Sequence, residues 1–475
     1  MRRSNCSKPI KRALLLGSVV FVESTTNLPA FLKKIFQRFS LARFVQFPSC
    51  LNSASEPKRY RSTHDIIPSC GWQDSRVTRI SYYVTNSFPQ TVSGYSVRTH
   101  GVAKGLLENG LEVEVVTRLG YPLVIGKGIL SEESFVTGGV AYRRLLPKLY
   151  PRNARRAIEK EVELLVSAAR KHGAQFLLTT TDYKNAVVTS HAAFQLQIPW
   201  GYEIRGEREN TWLSAWSSAE SATKKAAPYY VYASRMERVA EASAALCIVL
   251  SSIAQRRLLS DGIAAENLFV IPNSIGHVTD DQDLADKVEI RKKLGIDNDY
   301  DFVIGTVSSL VDYEGVDLLI DYAAKSNSRC LVVVVGDGTS RRSLENRASQ
   351  LGVESRVRFV GAQDPSSIQN WYRSFDVFAL TRKATDVTKR VTPIKATEAF
   401  NQRVPVVASR LPAVEEATGG WAHYYAPEDL ESFERAVANV LDSGPPSSME
   451  FSRWLKSRTW SSSTQQLANE LKREK

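Results

Sequence analysis

The sequence predicts an α/β protein of two domains, each an open parallel sheet flanked by helices, behind a basic N-terminal extension. Three observations carry this prediction. From Arg76 onward, short apolar runs alternate with amphipathic segments, the pattern produced when parallel strands are joined by crossover helices. The alternation breaks once, at Ile271-Pro272-Asn273-Ser274, and then resumes. Gly305, Gly336, Gly338 and Gly361 each fall at or just after a predicted strand end, where a backbone turns sharply or approaches a ligand.

In chain order, the first unit is a strand over 78–85, the loop NSFPQTVSGYS, a helix over 97–108 ended by Gly110, and a strand over 112–118. Its loop lies at the carboxyl end of the first strand, where α/β sheets bind ligands. Further strands are predicted over 175–180, 200–204, 246–250 and 268–271. The strand over 200–204 runs directly into Arg205-Gly206-Glu207-Arg208-Glu209; such a charge run is ordinarily a solvated face, but here it sits at a strand end. The polar, acidic loop 277–283 reads as the connector between domains. Beyond it, strands over 302–307, 330–335, 357–360, 377–380 and 404–408 alternate with helices over 316–324, 340–351, 366–372 and 393–401. Five such units in a row describe a Rossmann-like sheet, and two sheets joined by a linker leave a cleft between them. The predicted boundaries are 1–75, 76–275, 276–445 and a closing helical segment over 446–475.

The charge is unevenly spread. Of the net +12, residues 1–75 hold twelve Lys or Arg against Glu23, Glu56, Asp65 and Asp74, a balance of +8 that leaves +4 for the rest. Basicity confined to an extension, without a basic face on a folded domain, argues against a nucleic-acid partner. Within the extension, ALLLGSVVFV over 13–22 has the composition of a signal-peptide core but runs straight into Glu23. Over 30–47, Leu32, Ile35, Phe36, Phe39 and Ala42 recur at helical spacing beside Lys33, Lys34, Arg38 and Arg43. Such a helix suits an anionic membrane surface, at about 1 kcal/mol per basic residue near the headgroups; packing onto the protein's own body is the equal alternative, and an organellar transit peptide the third. Five scattered cysteines, odd in number, suggest reduced thiols and a cytoplasmic compartment, peripheral to the inner membrane face if the helix binds lipid. No apolar run is long enough to span a bilayer.

The stretch VTPIKATEAFNQRVPVVAS over 391–409 carries the most chemistry. Thr392 is a favourable N-cap and Pro393 a favourable first helical residue, which would leave free N–H groups suited to phosphate oxygens. Lys395 in that turn and Glu398 one turn later supply a cation for phosphate and a carboxylate for sugar hydroxyls. The alternative is an ordinary helix start with surface charges. Asp280, Asp281 and Asp283 lie in a linker and read as solvated, so no metal is expected. His100 on its helix is either structural or turned toward an acceptor.

In register, these segments resemble the family-four retaining glycosyltransferases of the GT-B fold, of the glycosyl transferases group 1 type. SGYSVRTHGVAKGLLENGLEVEVVTR, IPNSI, GTVSSLVDYEGVDLLI, VVGDGTSRRSLENRASQLGVESRVRFVGAQ, TPIKATEAFNQRVPVVASRLPAVEE and the closing Thr459-Trp460 follow one another in the family's order across most of residues 77–465. The resemblance implies a nucleotide-sugar donor in the C-terminal domain, a glycan or lipid-linked acceptor in the N-terminal domain, and transfer with retention, without a cofactor or metal. It implies a last helix that returns to the N-terminal domain, and a hexosyl- or N-acetylhexosaminyl-transferase of polysaccharide or glycolipid synthesis. Glu398 then matches the carboxylate that holds the ribose hydroxyls, and Thr392, Pro393, Ile394 and Lys395 the segment cradling the diphosphate. Gly361 matches the strand end that meets the nucleobase, Gly94 the loop facing the diphosphate, and Arg205 the position of a sugar-contacting His.

The chain departs from the family where a basic pair grips the diphosphate, which here reads Ser309 and Glu314, and where Arg390 replaces an acid eight residues before Glu398. Arg382, Lys383, Lys389, Arg390 and Lys395 could take over the phosphate, Arg382 and Lys395 foremost, because one ends a strand and the other starts a helix. Two other classes stay open: a nucleotide-sugar epimerase of the same design and a catalytically weak partner subunit.

Overall fold

The computed structural model describes residues 67–68, 76–128, 133–213, 216, 218–296, 299–364 and 367–473. The expectations placed on residues 13–22 and 30–47 lie outside these. The described chain divides into two units. The first runs through Val249 and adds Leu258–Phe269 and the stretch from Thr464; the second takes Leu250–Arg257 and Val270–Ser463.

The first unit is built on an eight-stranded sheet. In chain order its strands are β1 (Arg79–Val84), β2 (Glu112–Thr117), β3 (Ser134–Thr137), β4 (Val140–Arg144), β5 (Phe176–Thr180), β6 (Trp200–Ile204), β7 (Leu246–Val249) and β8 (Leu268–Val270). Their spatial order is β3-β4-β2-β1-β5-β6-β7-β8. The central strands are largely apolar and buried on both faces, as strands covered by helices on each side must be, with Glu114 and Glu203 the buried acids among them. The helix Tyr183–Leu196 packs against Ala154–His172 and Pro228–Ser243, covering β5. The sequence did not predict β3 and β4. They form an antiparallel hairpin in register Thr137↔Val140, closed by Gly138-Gly139 with φ of 55° and 82°. Two positive-φ residues suit this tight turn, and the alternating pattern around it marks an edge rather than a buried strand.

The second unit holds a six-stranded sheet, β9 (Phe302–Val307), β10 (Cys330–Val335), β11 (Val357–Gly361), β12 (Val377–Leu380), β13 (Val406–Ser409) and β14 (His423–Tyr425), in the order β11-β10-β9-β12-β13-β14. Every recorded pairing is parallel. The unbroken run CLVVVV of β10 is explained by its central place: Val332 and Val334 face one core, Leu331, Val333 and Val335 the other. Gly305, predicted at a strand end, lies inside β9 instead, where an added Cβ would stand 2.4 Å from the Phe375 ring. The three-residue β14 escaped prediction because it is too short to show a period. All six strands share a direction, so their carboxyl ends form one edge.

Candidate functional site

Loops from four strands meet at that carboxyl edge of the second unit. Main-chain bonds tie them together: Leu310 N donates to Asp337 O at 3.0 Å, Gly336 N to Gly361 O at 2.9 Å, and Lys383 N to Tyr313 O at 3.0 Å. The backbones approach so closely that only glycine fits. A Cβ on Gly336 (φ +131°) would lie 1.8 Å from Ser308 O, and one on Gly315 (φ +67°) 1.9 Å from Thr381 O. Gly361 ends β11 at φ +75°, so the predicted base-facing strand end is also a backbone special position.

Glu314 organises the charge at this edge. It is 6% exposed and accepts from Arg382 Nη2 at 3.0 Å and from Lys395 Nζ at 2.8 Å. Lys395 also donates to Ser308 Oγ at 2.7 Å, and Arg382 Nη1 to Val391 O at 2.7 Å. Burial by itself would raise the Glu314 carboxyl, but the Lys395 and Arg382 charges outweigh it and hold the group at about 2. Burial lowers Lys395, with Glu314 acting against it. The two foremost cations of the sequence reading therefore do come together, and the acid read as a departure is what joins them.

The other predicted cations are differently placed. Lys383 pairs instead with Asp312 at 2.9 Å and Asp317 at 3.1 Å. Arg390 Nε donates to Asp386 O at 3.1 Å, and Lys389 is exposed.

The helix start itself needs correction. The helix is Lys395–Asn401, seven residues, with Ile394 at the cap position and no side-chain cap bond. Thr392 is not the N-cap, and Pro393 is not in the first turn. The main chain just before the helix is held from outside, Thr392 O by Asn273 Nδ2 at 3.1 Å and Val391 O by Arg382. Thr392 Oγ1 is left buried without a partner. So short a helix carries little dipole. Glu398 is half-buried and, among the described residues, its carboxylate has no hydrogen-bond or ion-pair partner; burial raises it to about 7. A half-buried carboxylate without a partner keeps its oxygens open as acceptors. Sequence reasoning missed Ser308 and Asn273, whose partners lie 87 and 119 residues away along the chain.

In the first unit, Arg205 is turned onto its own strand and the neighbouring helix. All five of its N–H bonds are spent: Nε on Glu203 at 2.9 Å, Nη1 on Tyr95 O and Thr99 Oγ1, both at 2.8 Å, and Nη2 on Glu203 at 2.7 Å and on Tyr82 Oη. Arg98 binds the other oxygen of Glu203 at 2.7 Å. Burial alone would raise Glu203, yet the two guanidiniums hold it at about 2. Every Arg205 donor is thus engaged within the first unit. His100 packs against the hairpin: its Nδ1 lies 2.9 Å from Tyr142 Oη, its ring stacks on Tyr142, and it lies beneath Gly138, where a Cβ would come within 2.8 Å. Gly94 opens the helix Gly94–Glu108 behind a capping box of Ser93 and Ser96, with open space where its Cβ would be. Asp281 is exposed and pairs with Arg403 at 2.8 Å. Among the described residues no group of His, Cys, Asp and Glu could hold a metal ion, and no helix is long and apolar enough to cross a membrane.

Comparison with known proteins bears on this geometry. Residues 286–454 match the family model described as "Glycosyl transferases group 1", and residues 93–274 that described as "Glycosyl transferase 4-like domain". The chain carries glycosyltransferase domains in both halves. These domains are 25% identical over 366 residues to an uncharacterized glycosyltransferase of Methanocaldococcus jannaschii, covering 74% of this chain and 86% of that one. Their fold, two parallel-sheet domains typical of GT-B glycosyltransferases, recurs in sucrose-phosphate synthase from Thermosynechococcus elongatus (TM-score 0.58, 16% identity, 83% of this chain and 95% of that one). It recurs also in Anabaena HepE in complex with UDP and glucose (TM-score 0.55, 19% identity, 83% and 95%).

Proposed function

We propose that this chain is a retaining, metal-independent glycosyltransferase that moves a hexosyl or N-acetylhexosaminyl group from a nucleotide sugar to a glycan or lipid-linked acceptor, in polysaccharide or glycolipid synthesis on the cytoplasmic side. The observation that carries the reading is the meeting of Arg382 and Lys395 at the carboxyl edge of the second unit, with the unpaired Glu398 one turn along the helix that Lys395 opens. Structures of HepE with UDP-glucose are known, which supports a donor of that class here. In the proposed reaction the bond from the anomeric carbon to the diphosphate breaks, its electron pair goes to the phosphate oxygen, and the acceptor hydroxyl oxygen bonds to the anomeric carbon. The acceptor's proton passes to the departing phosphate. Arg382 and Lys395 stabilise the charge that grows there, the part a metal ion plays elsewhere. Glu398 accepts from the ribose hydroxyls and Gly361 meets the base through its main chain. Gly94, with open space above it, lies in the first unit, which takes the acceptor.

The test is a panel of uridine, guanosine and adenosine diphosphate sugars, supplied with EDTA and a membrane-extracted acceptor. Nucleotide release with sugar transfer, the product keeping the donor's anomeric configuration by NMR, is the expected result; failure to bind any donor sinks the reading. A catalytically weak partner subunit is the second reading, favoured by the spending of both cations on Glu314. It predicts silence across donors that also fail to bind.

A further inference from the structure

Glu314 has no part in the reaction just described, yet it occupies both cations that reaction needs. Its carboxylate oxygens stand 3.0 Å from Arg382 and 2.8 Å from Lys395, distances typical of charge-assisted bonds, and both cations recognise phosphate oxygens with the same donor atoms. We propose that Glu314 is a resident counter-ion, an internal stand-in for a donor phosphate, which the diphosphate of a nucleotide donor displaces on binding. The inference rests on the glycosyltransferase reading above.

Charge and mobility both support it. Two cations and one carboxylate leave the triad at +1, so a diphosphate added beside an unmoved Glu314 would set like charges together in a poorly solvated site. With the carboxylate turned away, two cations meet two phosphate charges. The backbone cannot make that change, because Gly315 is wedged against Thr381 O and Thr381 Oγ1 donates to Glu314 O at 3.0 Å. The Glu314 side chain, with three rotatable bonds, can. In the empty site the same carboxylate keeps two buried cations from facing each other unpaired. Glu314 thus stabilises the free protein and weakens its hold on donor, and so acts as a determinant of donor affinity.

Calorimetric titration of the full chain with UDP, GDP, ADP and pyrophosphate, in the wild type, Glu314→Gln and Glu314→Asp, tests this. Glu314→Gln is expected to bind the preferred nucleoside diphosphate about tenfold more tightly or better while its ligand-free melting temperature falls. Glu314→Asp, which keeps the charge but draws it back by one methylene, is expected to fold and to lie between the two. A residue with only a structural role would lower stability without raising affinity. Tighter binding of nucleoside diphosphates but not of pyrophosphate by the variants locates the displaced group within a nucleotide site; tighter binding of pyrophosphate as well shows that the diphosphate alone displaces it, and both support the inference. Equal or weaker binding by Glu314→Asp, with diphosphate still bound by the wild type, overturns it and leaves the transferase reading standing. If no diphosphate binds any of the three proteins, the transferase reading falls and the inference with it.

Discussion

Glu398 and Glu203 show how a half-buried and a buried carboxylate diverge. Glu203, fully buried between Arg98 and Arg205, is held near 2; Glu398, with no cation beside it, is raised to about 7. Each shift has its own sign. Glu203 binds its proton less readily folded than unfolded, so its contribution to stability is present above the unfolded carboxyl value and lost as pH falls toward 2. Glu398 binds its proton more readily when folded, so stability falls as pH rises from about 4.5 to 7. Glu398→Gln should therefore raise the melting temperature at pH 8, by a stabilisation on the order of 1 kcal/mol or more, and make no difference at pH 4. The same substitution should cost donor affinity at pH 8, where the carboxylate would grip hydroxyls; equal affinities in a titration would remove Glu398 from the site. Lys395→Ala should lower transfer by about 100-fold or more, the scale for losing one group that stabilises charge in the transition state. Near-normal turnover in the nucleotide-release assay would end the donor assignment. The role of Arg205 was legible in part: an acid at Glu203 inside a buried strand needs a cation, and Arg205 lies two residues on, on the same face. Which of its donors would stay free was not, because Tyr82, Tyr95 and Thr99 reach it from more than a hundred residues away.

Among the elements, long apolar runs were read well and short or capped ones less so. β10 falls where the pattern placed it, since burial on both faces leaves an uninterrupted apolar run. The helix after Pro393 starts late because Asn273 and Arg382 hold the preceding carbonyls, a tertiary claim that no local cap signal reveals. Gly305 was read as a turn residue when its role is to leave room: Phe375 fills the place of a side chain above β9. Gly305→Ala should destabilise the second unit by about 1–3 kcal/mol or more through overpacking, measured by denaturant unfolding. An unchanged midpoint would mean that the ring moves freely.

For the molecule as a whole, the chain's last residues belong to its first unit. Leu467, Ala468 and Leu471 are buried, Leu471 O accepts from Val77 N at 2.8 Å, and Lys472 Nζ donates to Asn109 O at 2.8 Å. Leu471→Ala should cost about 2–5 kcal/mol in a thermal or denaturant melt, and truncation before Thr464 should leave the first unit open to protease; resistance equal to the full chain would contradict this packing. Deleting residues 1–70 tests the proposed membrane-surface helix: the truncated protein should no longer sediment with anionic vesicles, and continued sedimentation would place the anchor elsewhere. The sequence by itself determined two α/β units, the places of their long buried strands along the chain, and the presence of Lys395 and Glu398 on one short helix, because periodicity and burial are local signals. Only the tertiary structure decided that Glu314 closes on Arg382 and Lys395, that Arg205 has no donor to spare, and that Thr392 caps nothing. Those outcomes depend on side chains tens to hundreds of residues apart competing for the same hydrogen bonds, and chain spacing carries no record of that competition.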